Sequence, residues 1–170
     1  MNLKTMRQFL AYLICLYLFA GTAQLFAAEI SDIQLSVKAT KITDGDSLRS
    51  GNIRLRLYGI DAPEIRQQCQ DKSSQPYRCG SMAQQYLSSI ALQDRLLDCV
   101  LKDIDRYKRL IVQCRADGKD IAMQMVRAGW AVAYRRYSSD YIDDEAYAKS
   151  SQQGIWQGSF TMPEAWRRKH

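Results

Sequence analysis

Residues Asp44 to Glu64 read D-G-D-S-L-R-S-G-N-I-R-L-R-L-Y-G-I-D-A-P-E, and their pattern decides the architecture. An acidic pair flanks Gly45, and a second flanks Ala62-Pro63. Between them, Leu55 and Leu57 alternate with Arg54, Arg56 and Tyr58 over the segment 53–58. A period of two marks a half-buried strand, with the leucines facing a core and the arginines facing away from it. Arg49-Ser50-Gly51-Asn52 has the composition of a hairpin turn, which folds the two acidic ends back on each other. The stretch therefore predicts Asp46, Asp61 and Glu64 beside Arg56 at one end of a small sheet. Hard oxygen donors next to a guanidinium suit a divalent cation and a phosphate.

Working outward, residues 35–43 alternate and end in β-branched residues, which predicts one strand entering the Asp44-Gly45-Asp46 turn. Further strands are expected near 46–49 and 53–59. The polar run 65–79 reads as a long loop. Met82, Ala83, Tyr86, Leu87 and Ile90 then fall at helical spacing, with Ser81 as the expected N-cap. Strands follow near 96–101 and 110–114, joined by the charged connection 102–109, with Asp117-Gly118 as a turn. Ile121, Met125, Val126 and Ala128 form the apolar face of a second helix ending at Gly129, and a third helix is expected over about 140–152. Ile155, Trp156, Phe160 and Trp166 are expected to pack the tail onto the body. The order is α+β, with a five-stranded antiparallel sheet closing into an OB-type β-barrel with three α-helices.

At 170 residues the chain fits one domain. Its sole histidine is His170, which excludes Ser-His-Asp, Cys-His and histidine-metal chemistry at an interior site. Hydrolysis would have to run on carboxylates, arginines, tyrosines, lysines and a metal. The formal charge of +6 favours acidic partners without identifying one. Lys4 and Arg7 precede the apolar run 9–20 and then small residues up to Ala28, the pattern of a secretory signal peptide; an uncleaved anchor is the competing reading. The expected organisation is a cleavable leader over 1–28, a linker over 29–34, a domain over 35–160 and a tail over 161–170. Beyond the leader remain Cys69, Cys79, Cys99 and Cys114, an even count that points to disulfides in an exported, periplasmic or extracellular chain. The favoured pairs are Cys69–Cys79, closing the polar loop, and Cys99–Cys114, joining adjacent strands. A zinc site competes, but C-x-x-C knuckles are missing.

Four pieces in order, D-G-D at 44–46, R-L-Y-G-I-D-A-P-E at 56–64, D-R-Y-K-R at 105–109 and V-R-A-G-W-A at 126–131, make the chain resemble the staphylococcal thermonuclease family from about 36 to 158. The resemblance implies an OB-type barrel and a Ca²⁺-dependent hydrolysis of DNA and RNA, leaving 3′-phosphate and 5′-hydroxyl ends. It implies Asp46, Asp61 and the Ala62 carbonyl as Ca²⁺ ligands, and Arg56 and Arg109 as phosphate-holding catalytic residues. Glu64 would act on the attacking water, Tyr107 and Tyr134 would line the substrate pocket, and Asp44 would support the metal site. Three departures stand out: Lys108 replaces the family glycine and would either shift the loop or add a phosphate contact, Ala62 replaces a threonine, and the cysteine-containing loop at 66–79 has no counterpart in the simplest members. The resemblance implies no obligate protein partner and no stable membrane association once the leader is removed.

Each piece alone has a plainer reading. Asp-Gly-Asp is commonly just a turn, and single arginines are commonly surface or ion-paired. Tyr134-Arg135-Arg136-Tyr137 reads either as a nucleic-acid stripe or as a tyrosine packed on Trp130 with solvated arginines. Asp143, Asp144 and Glu145 read as a solvated cluster at a helix N-terminus, and Met123, Met125 and Trp130 as core. Two other functions share this surface: a catalytically silent OB module binding single-stranded nucleic acid, and an envelope protein binding polysaccharide or protein without a metal.

Overall fold

The computed structural model describes residues 33–170; the expected leader lies outside them. The strands are β1 (Gln34–Val37), β2 (Lys41–Asp44), β3 (Ser47–Ser50), β4 (Ile53–Leu57), β5 (Ile60–Asp61), β6 (Cys69–Gln70), β7 (Pro76–Tyr77), β8 (Leu97–Ile104), β9 (Leu110–Ala116), β10 (Lys119–Asp120) and β11 (Val132–Ala133). The helices are α1 (Cys79–Ala91), α2 (Ile121–Arg127), α3 (Ile142–Ser150) and α4 (Pro163–Arg167), with a 3₁₀ turn over Gly154–Gln157.

The main sheet runs β1-β8-β9-β4-β3-β2, with β10 attached to β9. It is α+β and mixed rather than antiparallel throughout, because β4 and β9 pair in parallel, Leu55 opposite Leu110 and Leu57 opposite Val112. That pairing follows from α1, which lies between the two strands in the chain and supplies the crossover a parallel pair needs. The single strand expected over 35–43 is broken. Residues 38–40 separate β1 from β2, and the two halves pair at opposite ends of the sheet path. One chain segment thus serves both ends, and the sheet curls into a half-barrel. Leu55, Leu57, Leu48 and Val112 from the sheet meet Leu87 of α1 and Ile121 and Met125 of α2 in the interior. Each such fully buried aliphatic side chain contributes roughly 1.5–3 kcal/mol.

Other expectations shift for local reasons. Helix α1 begins at Cys79 rather than after Ser81, since the disulfide partner Cys79 is already helical and Arg78 stands at the cap. The Ser81 hydroxyl donates to the Ile65 carbonyl instead. Asp120 caps α2 by accepting from the Met123 N–H at 3.0 Å, and Gly129 ends that helix at φ +73°. Four α-helices are described where three were expected, the extra one being the short α4. A second apolar cluster joins Cys69, Cys79, Val132 and Ile155 to Tyr77, Trp130, Trp156 and Phe160. Trp166 stands apart, stacked on His170 with ring centroids 4.2 Å apart. Both favoured disulfides form: Cys99 and Cys114 stand directly opposite each other in the β8–β9 register, and Cys69–Cys79 closes the loop before α1.

Of the acidic cluster 143–145, Asp143 is exposed as expected and Asp144 is half-buried, but Glu145 is not solvated. Glu145 is wholly buried and accepts from the Ala133 N–H at 3.1 Å, Arg135 Nη2 at 2.7 Å and Lys149 Nζ at 2.8 Å; Asp144 pairs with Arg127. Glu145 therefore fastens α3 to β11. Its neighbours satisfy every bond a buried carboxylate needs. At the tip of the β8–β9 hairpin, Lys108 takes φ +58°, a left-handed conformation that costs a lysine about 1 kcal/mol or more.

Two stability outcomes follow. Burial raises the Glu145 pKa, but Arg135 and Lys149 more than offset it and hold the group below its ordinary 4.5. A lowered folded pKa means stability that is complete above the unfolded value and lost as pH falls through the folded one. Glu145→Gln should cost about 3 kcal/mol near pH 7, and its deficit against the parent should shrink below pH 4.5 in urea titrations. Lys108→Gly should raise unfolding stability by about 0.5–1 kcal/mol through relief of the left-handed backbone, read by the same titration.

Candidate active site

Asp46 and Asp61 are 2% and 1% exposed, and a carboxylate so placed needs a compensating charge. Arg56 provides it from β4, with Nη1 2.8 Å from Asp46 Oδ1 and Nη2 3.0 Å from Asp61 Oδ1. Register brings the three together. Ser47 pairs with Arg56 across β3 and β4, which sets Asp46 one residue away. Asp61 ends β5, which Val132 of β11 pins in place. The Ser47 hydroxyl also donates to Asp46 Oδ1 at 2.8 Å, and the Ala62 N–H donates to Asp46 Oδ2 at 3.2 Å. Gly45 is required by the close approach: a Cβ there would fall 2.7 Å from that of Ala62 and 2.8 Å from that of Ala83.

Charge at this centre is unevenly balanced. Burial alone would lower the Arg56 pKa, but Asp46 and Asp61 hold it above its ordinary value. Asp44 is pushed up to about 8, first by burial and then by the Asp46 and Glu64 carboxylates. Burial and the neighbouring carboxylates both favour the protonated form of Asp44.

Glu64 sits in a turn held by Gln67, whose Oε1 accepts from the Glu64 N–H at 3.3 Å and whose own N–H donates to the Glu64 carbonyl at 2.7 Å. Its side chain is held by a residue no sequence pattern singled out. Arg167 of α4 places Nη1 2.9 Å from Glu64 Oε1 and 2.8 Å from Asp61 Oδ1, while its Nη2 lies 2.9 Å from Asp61 Oδ2. Trp166-Arg167-Arg168-Lys169 reads as an ordinary basic terminus, and only through-space placement reveals the contact.

Arg109 belongs to a second part of the site. Asp105 Oδ1 accepts from the N–H groups of Tyr107 and Arg109 at 2.9 and 3.0 Å, and its Oδ2 accepts from Arg109 Nε at 2.7 Å. So clamped, Arg109 lines a cavity of about 250 Å³ with Asp44, Ser47, Arg49 and Arg54. Three arginines around one opening favour an anion. Tyr107 stands exposed at its hairpin, its ring beneath Arg106 and Arg109 and its carbonyl accepting from Arg54. Lys108 points into solvent. Tyr134 lies edge-on to Tyr137 at 4.9 Å rather than against Trp130. Its hydroxyl is pushed up by burial and then by Glu164 and Asp61, which places it near the acidic centre. Arg135 is paired with Glu145 yet stays half-exposed, and Arg136 and Tyr137 are exposed beside it, so the expected stripe lies at the surface with one of its two arginines engaged.

Among the described residues, no three acidic, histidine or cysteine side chains stand in a ready metal-ligating arrangement. Guanidinium groups occupy the Asp61 oxygens instead. The donor chemistry nonetheless suits a hard divalent cation: three carboxylates, Asp46, Asp61 and Glu64, converge on two arginines.

A family model described as "Staphylococcal nuclease homologue" matches residues 54–158. The chain is 32% identical over 140 residues to an "Uncharacterized endonuclease" of Haemophilus influenzae, covering 78% of this chain and 72% of that protein. It is 34% identical over 117 residues to "Succinoglycan biosynthesis protein ExoI" of Rhizobium meliloti, covering 68% of this chain and 61% of the relative. Against "Probable staphylococcal-like nuclease CAN1" of Oryza sativa subsp. japonica, identity is 32% over 127 residues, 73% of this chain but only 35% of the rice protein. The match spans β4 with its Arg56, the Asp61–Glu64 turn and the Arg109 hairpin, and it covers most of the folded body. The chain belongs to the staphylococcal nuclease family.

Proposed function

We propose that the protein is an exported nuclease that hydrolyses phosphodiester bonds in DNA and RNA with Ca²⁺ as cofactor, leaving 3′-phosphate and 5′-hydroxyl ends. The observation that carries this reading is Arg56 fixed between buried Asp46 and Asp61, with Glu64 alongside and Arg109 on the adjoining cavity. In this reading the half-barrel is of the OB type, the domain runs over 35–160 and the leader over 1–28 is removed. The two disulfides suit an oxidising compartment. No helix among the described residues is long and apolar enough to cross a membrane.

Each residue has a chemical task. Asp46, Asp61 and the Ala62 carbonyl would hold the Ca²⁺, which when bound supplies neutralisation of charge on a phosphate oxygen. Arg56 and Arg109 offer permanently charged donors to the remaining phosphate oxygens, and they match charge that grows as the phosphorus becomes five-coordinate. Glu64 takes a proton from the attacking water. The new P–O bond forms as the bond to the 5′-oxygen breaks, the phosphate stays on the 3′ side, and solvent protonates the departing oxygen. Tyr107 and Tyr134 would flank the nucleotide, with Lys108 adding a phosphate contact at the rim.

The test uses the chain from residue 29, disulfides intact, on labelled single-stranded DNA. Cleavage in Ca²⁺ should be abolished by EDTA. Arg109→Ala should lower kcat by about 10²–10³ with little change in melting, because this side chain's ion pair is to Asp105 alone. Retained binding without cleavage in any divalent ion would instead establish a silent OB module.

A further inference from the structure

We propose that Arg167 is a built-in counter-cation that competes with the divalent ion for Asp61, so that the C-terminal segment sets the protein's metal affinity. The inference rests on the carboxylate site proposed above. Arg167 is delivered by a docked segment, not by a frayed end. Gln67 Nε2 donates to the Thr161 carbonyl at 2.6 Å. Gln70 and Ser159 exchange backbone bonds of 2.8 and 3.1 Å, and buried Pro163 opens α4. Gln70 lies in the loop closed by Cys69–Cys79, and Gln67 two residues before it. The disulfide loop thus holds the tail, and the tail presents the guanidinium.

Arg167 forks both oxygens of Asp61, and Arg56 adds a second donor to Oδ1. A Ca²⁺ ion needs at least one of those oxygens directly, and a guanidinium on the same oxygen repels it. The two arginines differ in what they can give up. Arg56 is the more deeply enclosed and is fixed in β4, with its side chain 16% exposed against 34% for Arg167. Arg167 touches Oδ2, the Asp61 oxygen that Arg56 leaves alone, and it reaches there from a five-residue helix outside the sheet. Arg167 is therefore the group that yields. Because the same Nη1 also holds Glu64 Oε1, its withdrawal exposes the carboxylate that works on water. Cation entry and release of Glu64 become one event.

Calorimetric titration with Ca²⁺, in the absence of nucleic acid, tests this on the disulfide-intact chain from residue 29. Arg167→Gln should bind Ca²⁺ at least about tenfold more tightly than the parent. Arg167→Lys should fall between them, since a lysine keeps the charge but not the two-pronged geometry. Arg168→Gln, which alters the neighbouring surface arginine, should match the parent. Melting curves in EDTA show that each variant is folded, and the lysine variant carries the comparison if the glutamine variant is not. Equal or weaker Ca²⁺ binding by a folded Arg167 variant overturns the competition while leaving the nuclease reading intact. Failure of all four proteins to bind Ca²⁺ overturns the metal site itself and the competition with it.

Discussion

The bridge from Arg56 to Asp46 and Asp61 is the interaction on which the site's geometry depends. Two carboxylates almost without solvent contact are tolerable only with a matched charge between them. That requirement constrains the surrounding backbone tightly. The β3–β4 register, the pairing of β5 with β11 and the Gly45 turn must all hold for one guanidinium to reach both acids. Such a unit adds little net stability compared with an apolar core of equal volume. Its retention at the end of a strand, opening toward a cavity ringed by further arginines, is the mark of a site for binding or chemistry.

Much of this was legible in the sequence because the signals were local. The alternation of Leu55 and Leu57 with Arg54 and Arg56 gave β4 its two faces, the Asp44–Asp46 and Asp61–Glu64 turns followed, and the two adjacent-strand cysteines found each other once β8 and β9 were paired. Glu145 was misjudged because an acidic triplet at a helix start looks solvated unless the partners, Arg135 and Lys149, are known to converge on it. The parallel pairing of β4 with β9 was missed because a side-chain period of two is the same for both strand directions. Arg167 had no sequence signal at all. It lies 106 residues from Asp61, and a contact at that separation has neither periodicity nor spacing to announce it.

The two disulfides brace two different arms of the site. Cys99–Cys114 ties β8 to β9 below the hairpin that carries Tyr107 and Arg109. Cys69–Cys79 restrains the loop that receives residues 159–163 and so places α4 against the acidic centre. Closing loops of this length removes unfolded-state freedom worth about 3 kcal/mol each in the chain-entropy picture. Here the constraint also has a direction: one bridge limits how far Arg109 can stray and the other how far Arg167 can.

Positive charge at this site is consequently graded by how firmly it is held. Arg56 is fixed inside a sheet, Arg109 is clamped at a hairpin by Asp105, and Arg167 rides on a short terminal helix. A fixed donor contributes most to a charge that grows during reaction, since it needs no reorganisation at that moment. A more exposed donor outside the sheet is suited to the opposite task, compensating acids until another cation takes its place. Three carboxylates, Asp46, Asp61 and Glu64, share the two guanidinium groups of Arg56 and Arg167, which leaves a surplus of negative charge. Exchanging Arg167 for a divalent ion would raise the local positive charge by one, which is the direction that surplus demands.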